Sequence, residues 1–372
     1  MAQTVLITGG AGFIGAHVAG ELLRAGEHVR LLDSLLPQVH PASERPDYLP
    51  PDAELIVGDV RDADAVRKAL VGVDRVVHLT ARVGVGQSMY EIVDYTSVNA
   101  MGTAVLLQAL LEHPVDRLVV ASSMSVYGEG LYVGPTGDAQ TGVERTRARL
   151  EAGQWDPVGP GGEVLVPVPT PESKPPSLSS VYALTKYDQE RLCLLFGDAY
   201  NVPTTALRFF NVYGPFQALS NPYTGVLAIF AARLLNGRPP LVFEDGQQRR
   251  DFVSVHDVAR ACARALSAEP AASGRVLNIG SGRNVTVDEI AVELARILGR
   301  ETLRPEVTAK FRVGDIRHCF ADISLAVELL DYRPQVELES GMVELAEWLE
   351  GQVAVDRVDA ATSELAARGL TG

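Results

Sequence analysis

Residues 8–15 read Thr8-Gly9-Gly10-Ala11-Gly12-Phe13-Ile14-Gly15, a glycine-rich turn that follows the apolar run Val5-Leu6-Ile7 and opens a helix from about Ala16. Such a turn lets backbone approach a pyrophosphate closely and aims a helix N-terminus at it. Eighteen residues past Gly15 the next apolar strand ends in Leu31-Leu32-Asp33, about where a carboxylate accepts hydrogen bonds from an adenosine ribose. A glycine triplet alone is often a tight strand-to-helix turn, and a lone acid often caps one. Strand, turn, helix and acid in register point to dinucleotide binding and confine the N-terminal half to βαβ units.

The rest of the first half agrees. Val5–Thr8, Val29–Asp33, Glu54–Val57, Arg75–Leu79, Arg117–Ser122 and Thr204–Arg208 read as strands, with helices expected at Ala16–Ala25, Ala63–Leu70, Ala100–Glu112 and Val181–Tyr200. This alternation predicts an α/β fold, a Rossmann-type doubly wound parallel sheet. Past about Asn211 the regularity breaks at Gly214-Pro215, Gly237-Arg238-Pro239-Pro240 and Gly246. A smaller, interleaved α/β substrate domain is expected over 211–249 and 276–350, with the dinucleotide domain spanning 1–210 and returning at about 250–275. Residues 129–175 form a long insertion rich in glycine and proline, with one charged helical piece at Val143–Gly153. A loop of this length is functional or disordered, and an active-site lid and a surface elaboration are the two roles expected for it, the lid slightly ahead. The tail, 351–372, reads as an amphipathic helix from about Gln352 to Gly369, docked on the surface and suited to a subunit contact.

Composition narrows the class. With 47 Asp and Glu against 33 Lys and Arg, the 372-residue chain carries a formal charge of −14, which disfavours nucleic acid and anionic membranes as partners. Cys193, Cys262 and Cys319 are far apart and odd in number. They suggest buried thiols in a reducing compartment and offer neither a disulfide framework nor a metal site. No apolar run is long enough to span a membrane, and the first strand starts at once, so a cytoplasmic address is expected.

The chemistry lies in Val181-Tyr182-Ala183-Leu184-Thr185-Lys186. Four residues apart on a helix, Tyr182 and Lys186 share a face. A free phenol titrates near ~10, and a neighbouring ammonium, together with a positive nicotinamide ring, favours the phenolate and makes Tyr182 usable as a proton carrier. The strand Leu118-Val119-Val120-Ala121 leads into Ser122-Ser123-Met124-Ser125, at the carboxyl end of a strand where doubly wound sheets place ligands. A hydroxyl there could bond a substrate oxygen and share its proton with Tyr182.

Taken in order, these motifs resemble the extended short-chain dehydrogenase/reductases of the nucleotide-sugar epimerase/dehydratase family, over nearly the whole chain. The resemblance implies NAD as cofactor, held by Gly9, Gly12, Phe13, Ile14 and Gly15 of the phosphate turn, by Asp33 at the ribose, and by Asp59 and Val60 at the adenine. It adds Leu79, Thr80 and Ala81, which resemble the family's turn under the cofactor, and Asn99, its helix asparagine. Ser123, Tyr182 and Lys186 fall on the catalytic positions, the last two also touching cofactor. Asn211, Phe243, Arg250 and Arg312, with Ser123, fall on positions that bind a nucleotide-diphospho sugar; arginine suits a diphosphate because its fork meets two oxygens. Arg249 and Arg317, beside matched positions, read as solvated surface charges.

Within that family, dehydratases carry an Asp-Glu pair after the catalytic hydroxyl and decarboxylases a glutamate near it. Met124 and Ser125 stand there, so the resemblance implies an NAD-dependent 4-epimerase working through a transient 4-keto sugar. A ketoreductase of 4-keto-6-deoxysugars and a catalytically silent NAD-binding regulatory module are the alternatives. The insertion keeps the frame Trp155, Gly159-Pro160-Gly161-Gly162 and Pro169-Thr170-Pro171-Glu172, which resembles dTDP-L-rhamnose 4-epimerase-like members. Those often carry cysteine pairs of zinc-ribbon appearance there; here there are none, and no thiolate zinc site is expected. The family implies a homodimer through the helices at Ala100–Glu112 and Val181–Tyr200.

Overall fold

Residues 2–141, 143–218, 225–312, 314–350 and 358–372 are described by the computed structural model. Seven parallel strands form the central sheet: β1 (Thr4–Thr8), β2 (His28–Asp33), β3 (Glu54–Val57), β4 (Arg75–His78), β5 (Arg117–Ser123), β6 (Thr204–Phe209) and β7 (Arg275–Ile279). Their order is β3-β2-β1-β4-β5-β6-β7, with Val5 beside Val29 on one side and beside Arg75 on the other. Strand order therefore reverses between β1 and β4, and the crevice at that point is where such sheets bind ligands.

The helices are α1 (Phe13–Arg24), α2 (Ala63–Leu70), α3 (Val85–Ser88), α4 (Ile92–Tyr95), α5 (Gly102–Leu110), α6 (Arg147–Glu151), α7 (Val181–Tyr200), α8 (Val226–Leu235), α9 (Val255–Leu266), α10 (Val287–Ile297), α11 (Ser324–Leu330), α12 (Leu338–Leu349) and α13 (Val358–Ala367). Strand residues alternate between the two faces of the sheet, so continuous apolar runs serve two cores. Val5, Ile7, Val77, Val119 and Leu207 pack with α1, α9 and α11. Leu6, Val76, Leu118, Val120 and Ala206 pack with α2, α5 and α7. A separate core joins α8, α10 and α12 through Phe230, Leu294 and Leu345, away from the sheet.

All six expected strands are present, and α7 has the expected limits. α1 starts at Phe13 because Gly12 is already its extended N-cap. The helix expected at Ala100–Glu112 is entered through a π-helical stretch, Thr96–Met101, a widened turn common near functional sites. The insertion has structure of its own. Leu131–Val133 pairs antiparallel with both Ala139–Gln140 and Val166–Val168, and its helical piece shortens to α6. The tail helix expected from Gln352 is α13; residues 351–357 lie outside the described residues.

All three cysteines are buried, and burial pushes each thiol up to about 12. Among the described residues no helix is long and apolar enough to cross a membrane.

Candidate functional site

At the tip of β1 the backbone is crowded enough to demand glycine. Gly9 has φ +68°, and a β-carbon on it would stand 2.9 Å from the Thr80 amide nitrogen; one on Gly15 would stand 2.5 Å from the Gly9 carbonyl oxygen. The turn thus presses α1 against the strand ends. α1 has no side-chain cap and no acid in its first turn, so its N-terminal dipole and amides suit an anion. Asp33 braces the turn, its Oδ2 accepting from Ala11 N–H at 3.0 Å and its Oδ1 from Leu35 N–H at 2.9 Å. Each oxygen keeps a further lone pair for a ribose hydroxyl. Asp59 is gripped by the Arg61 side chain at 2.9 and 2.6 Å, and that bond holds its carboxyl below the usual range.

A cleft of about 750 Å³ runs from this turn, past Leu79–Ala81, to Ser123, Tyr182 and Lys186, and on to Asn211, Phe243, Arg250 and Arg312. Every site residue expected from the sequence lines it except Asn99. That side chain is fully buried. Its Oδ1 accepts from Arg82 N–H at 2.6 Å, and its Nδ2 donates to the Arg82 carbonyl at 3.1 Å and to Thr185 Oγ1 at 3.0 Å. Asn99 therefore clamps the cleft wall to α7 from behind.

Ser123, at the end of β5, accepts from the Ser125 hydroxyl at 2.9 Å, and its hydroxyl is close enough to Tyr182 to favour the phenolate. Ser125 also lines the cleft and belongs to the same hydroxyl chain, a role its sequence position does not reveal. Burial raises the Tyr182 phenol, and only the neighbouring Ser123 hydroxyl opposes it. Lys186 does not figure in that balance: its Nζ donates to Gln189 Oε1 at 2.7 Å, and burial lowers its ammonium to about 8. The expected lowering of Tyr182 by Lys186 is therefore absent here, and desolvation leaves the phenol raised. Behind them Ser122 donates to Glu190 Oε2 at 2.7 Å, and Glu190 holds Arg208 at 2.9 and 2.7 Å. His78 is buried and pushed down to about 3 by desolvation, so it is a neutral tie to Thr8 and Thr103.

At the far end, the Arg312 guanidinium lies 4.6 Å from the centre of the Phe243 ring. Arg312 and Arg250 both reach Asp315, at 2.8 and 3.6 Å. Burial disfavours that carboxylate, but Arg312, Arg250 and Arg145 hold it below its ordinary range. Among the described residues Asn211 Oδ1 is buried without a hydrogen-bond partner. Arg249 is exposed, as expected, but Arg317 is not a solvated charge: it is 1% exposed and bonds Asp156 at 2.9 Å, Glu244 at 3.2 Å and Asp245 at 2.5 Å. Three carboxylates compensate its burial, one of them contributed by the insertion.

The insertion does not reach the cleft, since none of its described residues lines it. It braces the far end from outside. Arg145 bonds Glu129 at 2.9 Å, Glu244 at 2.7 Å and the Asp315 carbonyl at 2.9 Å. Glu244, next to Phe243, is held with φ +55°, a conformation that needs such support in a non-glycine residue. The segment that does line the cleft is the tail, through Val358, Ala361, Thr362, Leu365 and Leu370, so the docked-surface reading of that helix is replaced.

The sequence pattern described as the NAD dependent epimerase/dehydratase family matches residues 5–149 and 158–280. A curated relative, dTDP-L-rhamnose 4-epimerase of Burkholderia thailandensis, is 37% identical, covering 93% of this chain and 95% of the relative. UDP-glucose 4-epimerase of Thermus thermophilus, solved with NAD, superposes with a TM-score of 0.74 at 30% identity, covering 94% of this chain and all of that one (100%). UDP-glucuronic acid 4-epimerase of Bacillus cereus, solved with UDP-glucuronic acid and NAD, gives 0.75 at 28% identity over 93% and 99%.

Proposed function

The chain belongs to the NAD dependent epimerase/dehydratase family, and on that premise we propose that it interconverts the carbon-four epimers of a nucleotide-diphospho sugar, dTDP-L-rhamnose first and UDP-hexoses second. The carrying observation is the row Ser123-Met124-Ser125 beside Tyr182 in the cleft. A proton carrier and a hydroxyl are in place for oxidation at carbon four, and no carboxylate follows Ser123 to drive elimination or decarboxylation. The 37% identity to a dTDP-L-rhamnose 4-epimerase supports the first substrate. The UDP sugar in a structural neighbour supports the second.

The cradle fits a dinucleotide: Gly9, Gly12, Phe13, Ile14 and Gly15 would hold its phosphates, Asp33 its ribose, Asp59 and Val60 its adenine, Leu79, Thr80 and Ala81 its underside, and Tyr182 and Lys186 its nicotinamide end. Asn99 supports that wall through Arg82. When bound, NAD supplies the hydride acceptor and donor for carbon four. Tyr182 takes the proton of the sugar 4-hydroxyl, with Ser123 bonded to the same oxygen and Ser125 bonded to Ser123. Asn211, Phe243, Arg250 and Arg312 hold the nucleotide end, so the planar 4-keto sugar turns over while its handle stays fixed. Tyr182 then returns its proton to the 4-oxygen of the turned sugar.

A homodimer and a cytoplasmic address belong to this reading. The exposed Leu184 and Leu195 of α7 and the exposed Met101 support a contact through the α5–α7 face, and three unpaired thiols suit a reducing compartment. The test is incubation with dTDP-L-rhamnose, no cofactor added, followed by proton NMR at carbon four. The 4-epimer is expected. No conversion of this sugar or of UDP-hexoses, with NAD present in the protein, would overturn the reading.

A further inference from the structure

The tail is fixed to both sides of the cleft. At one end of α13, Asp359 pairs with Arg233 at 3.0 Å and Arg238 at 2.6 Å, both at or beyond the end of α8. At the other, Arg368 stacks over Tyr90 at 4.2 Å, and Glu364 meets the Tyr90 hydroxyl at 3.4 Å. Beyond the helix, Phe311 N–H donates to the Gly372 carbonyl at 2.9 Å, and Gly372 N–H returns a bond at 3.0 Å. The neighbouring Arg312 is bridged to Thr371.

What the tail shows the cleft is apolar at every position but Thr362, and its leucines come close to the reacting centre. Ser88 Oγ accepts from Tyr182 N–H at 3.0 Å, which seats α3 on the first turn of α7. Gly86, two residues from that contact, meets the tail directly: a β-carbon on it would stand 3.2 Å from a Leu365 methyl. Val83, Val85, Met89 and Leu370 line the cleft with them. Arg82, at the head of this stretch, is engaged by Glu91 at 3.0 Å and Asp94 at 2.6 Å. A sugar whose 4-hydroxyl meets Tyr182 carries carbon six only two bonds away from carbon four.

We propose that α13 and the residues after it form one wall of the sugar site, and that Leu365 with Leu370 selects a 6-deoxy sugar over its 6-hydroxy counterpart. The proposal rests on the 4-epimerase reading above. A methyl group replaces water against Leu365 and Leu370 at no polar cost, whereas a hydroxyl set against these two side chains gives up its water partners and gains none from them.

The test compares dTDP-L-rhamnose with dTDP-L-mannose, which differ only in the oxygen on carbon six, as substrates of the full NAD-loaded protein. The wild type is expected to favour the 6-deoxy sugar in kcat/KM by about tenfold or more. Leu365→Asn brings the ratio toward one, and Leu365→Met, which refills the space with an apolar chain, keeps it. A wall that only supports the fold would lower both substrates together and leave the ratio unchanged. That outcome, or a wild type indifferent to the oxygen, overturns the proposal while leaving the 4-epimerase reading intact. Calorimetric binding of the same pair to Tyr182→Phe reads the selectivity without turnover, so failed catalysis is separated from a failed wall. Equal affinities there also overturn the proposal.

Discussion

Ser122 Oγ donates to Glu190 Oε2 at 2.7 Å, tying the end of the strand that presents Ser123 to the helix that presents Tyr182 and Lys186. The same carboxylate neutralises Arg208 in a buried pair. Glu190→Gln leaves the guanidinium charge in place without its counter-ion. A loss of about 3 kcal/mol is expected, read as a lower midpoint in urea unfolding; an unchanged midpoint would show that Arg208 is compensated elsewhere.

Tyr182→Phe removes the proton carrier but little of the cleft wall. Sugar conversion should fall by roughly 10²–10⁴-fold, while NAD is still released in stoichiometric amount when the variant is denatured. Conversion at the wild-type rate would assign the proton step to another group.

Lys186 gives a pH dependence with two signs. Burial lowers its ammonium to about 8, against ~10.4 for an unfolded lysine. Between these values the unfolded chain binds the proton and the folded site does not, so this group's contribution to stability rises with pH across the interval and is level below about 8. Activity runs the other way, declining above about 8 as the cation beside the reacting centre is lost. Urea unfolding and turnover from pH 7 to 10 check both limbs, and Lys186→Met should remove the rise in stability.

Arg145 is a positioning residue. It does not itself line the cleft, yet it holds Glu244 beside Phe243 and the carbonyl of Asp315 beside Arg250 and Arg312. Arg145→Ala should raise KM for the nucleotide sugar several-fold with a smaller change in kcat. Arg145→Lys should fail to restore it, because one ammonium does not reproduce the three-way fork. Equal effects on KM and kcat would point to general loosening instead.

The dinucleotide half was legible because its signals are local. A glycine turn that only glycine fits, two-faced apolar strands and the Tyr182–Lys186 spacing each state their geometry within a few residues. Arg317 was misread for the opposite reason: its partners Asp156, Glu244 and Asp245 lie 161, 73 and 72 residues away, and nothing near Arg317 in sequence distinguishes a buried arginine from a solvated one. The insertion's strands were missed because Leu131–Val133 and Val166–Val168 are three residues each, too short for a period to register. The tail showed an amphipathic pattern, but pattern does not say which surface receives the apolar side, and here it is the cleft. Asn99 was recognised as a residue that matters, whereas its partners, Arg82 backbone and Thr185, are set by the π-helical turn.

The three hidden thiols supply the molecule with internal clocks. Cys193 sits in α7, Cys262 in α9 and Cys319 in a short strand beneath the insertion, each in a different apolar cluster. A thiol reagent reaches one of them only when its own surroundings open. The sequence of labelling times in native buffer therefore ranks the catalytic helix, the opposite face of the sheet and the sugar-side brace by how often each comes apart, in the unmodified chain.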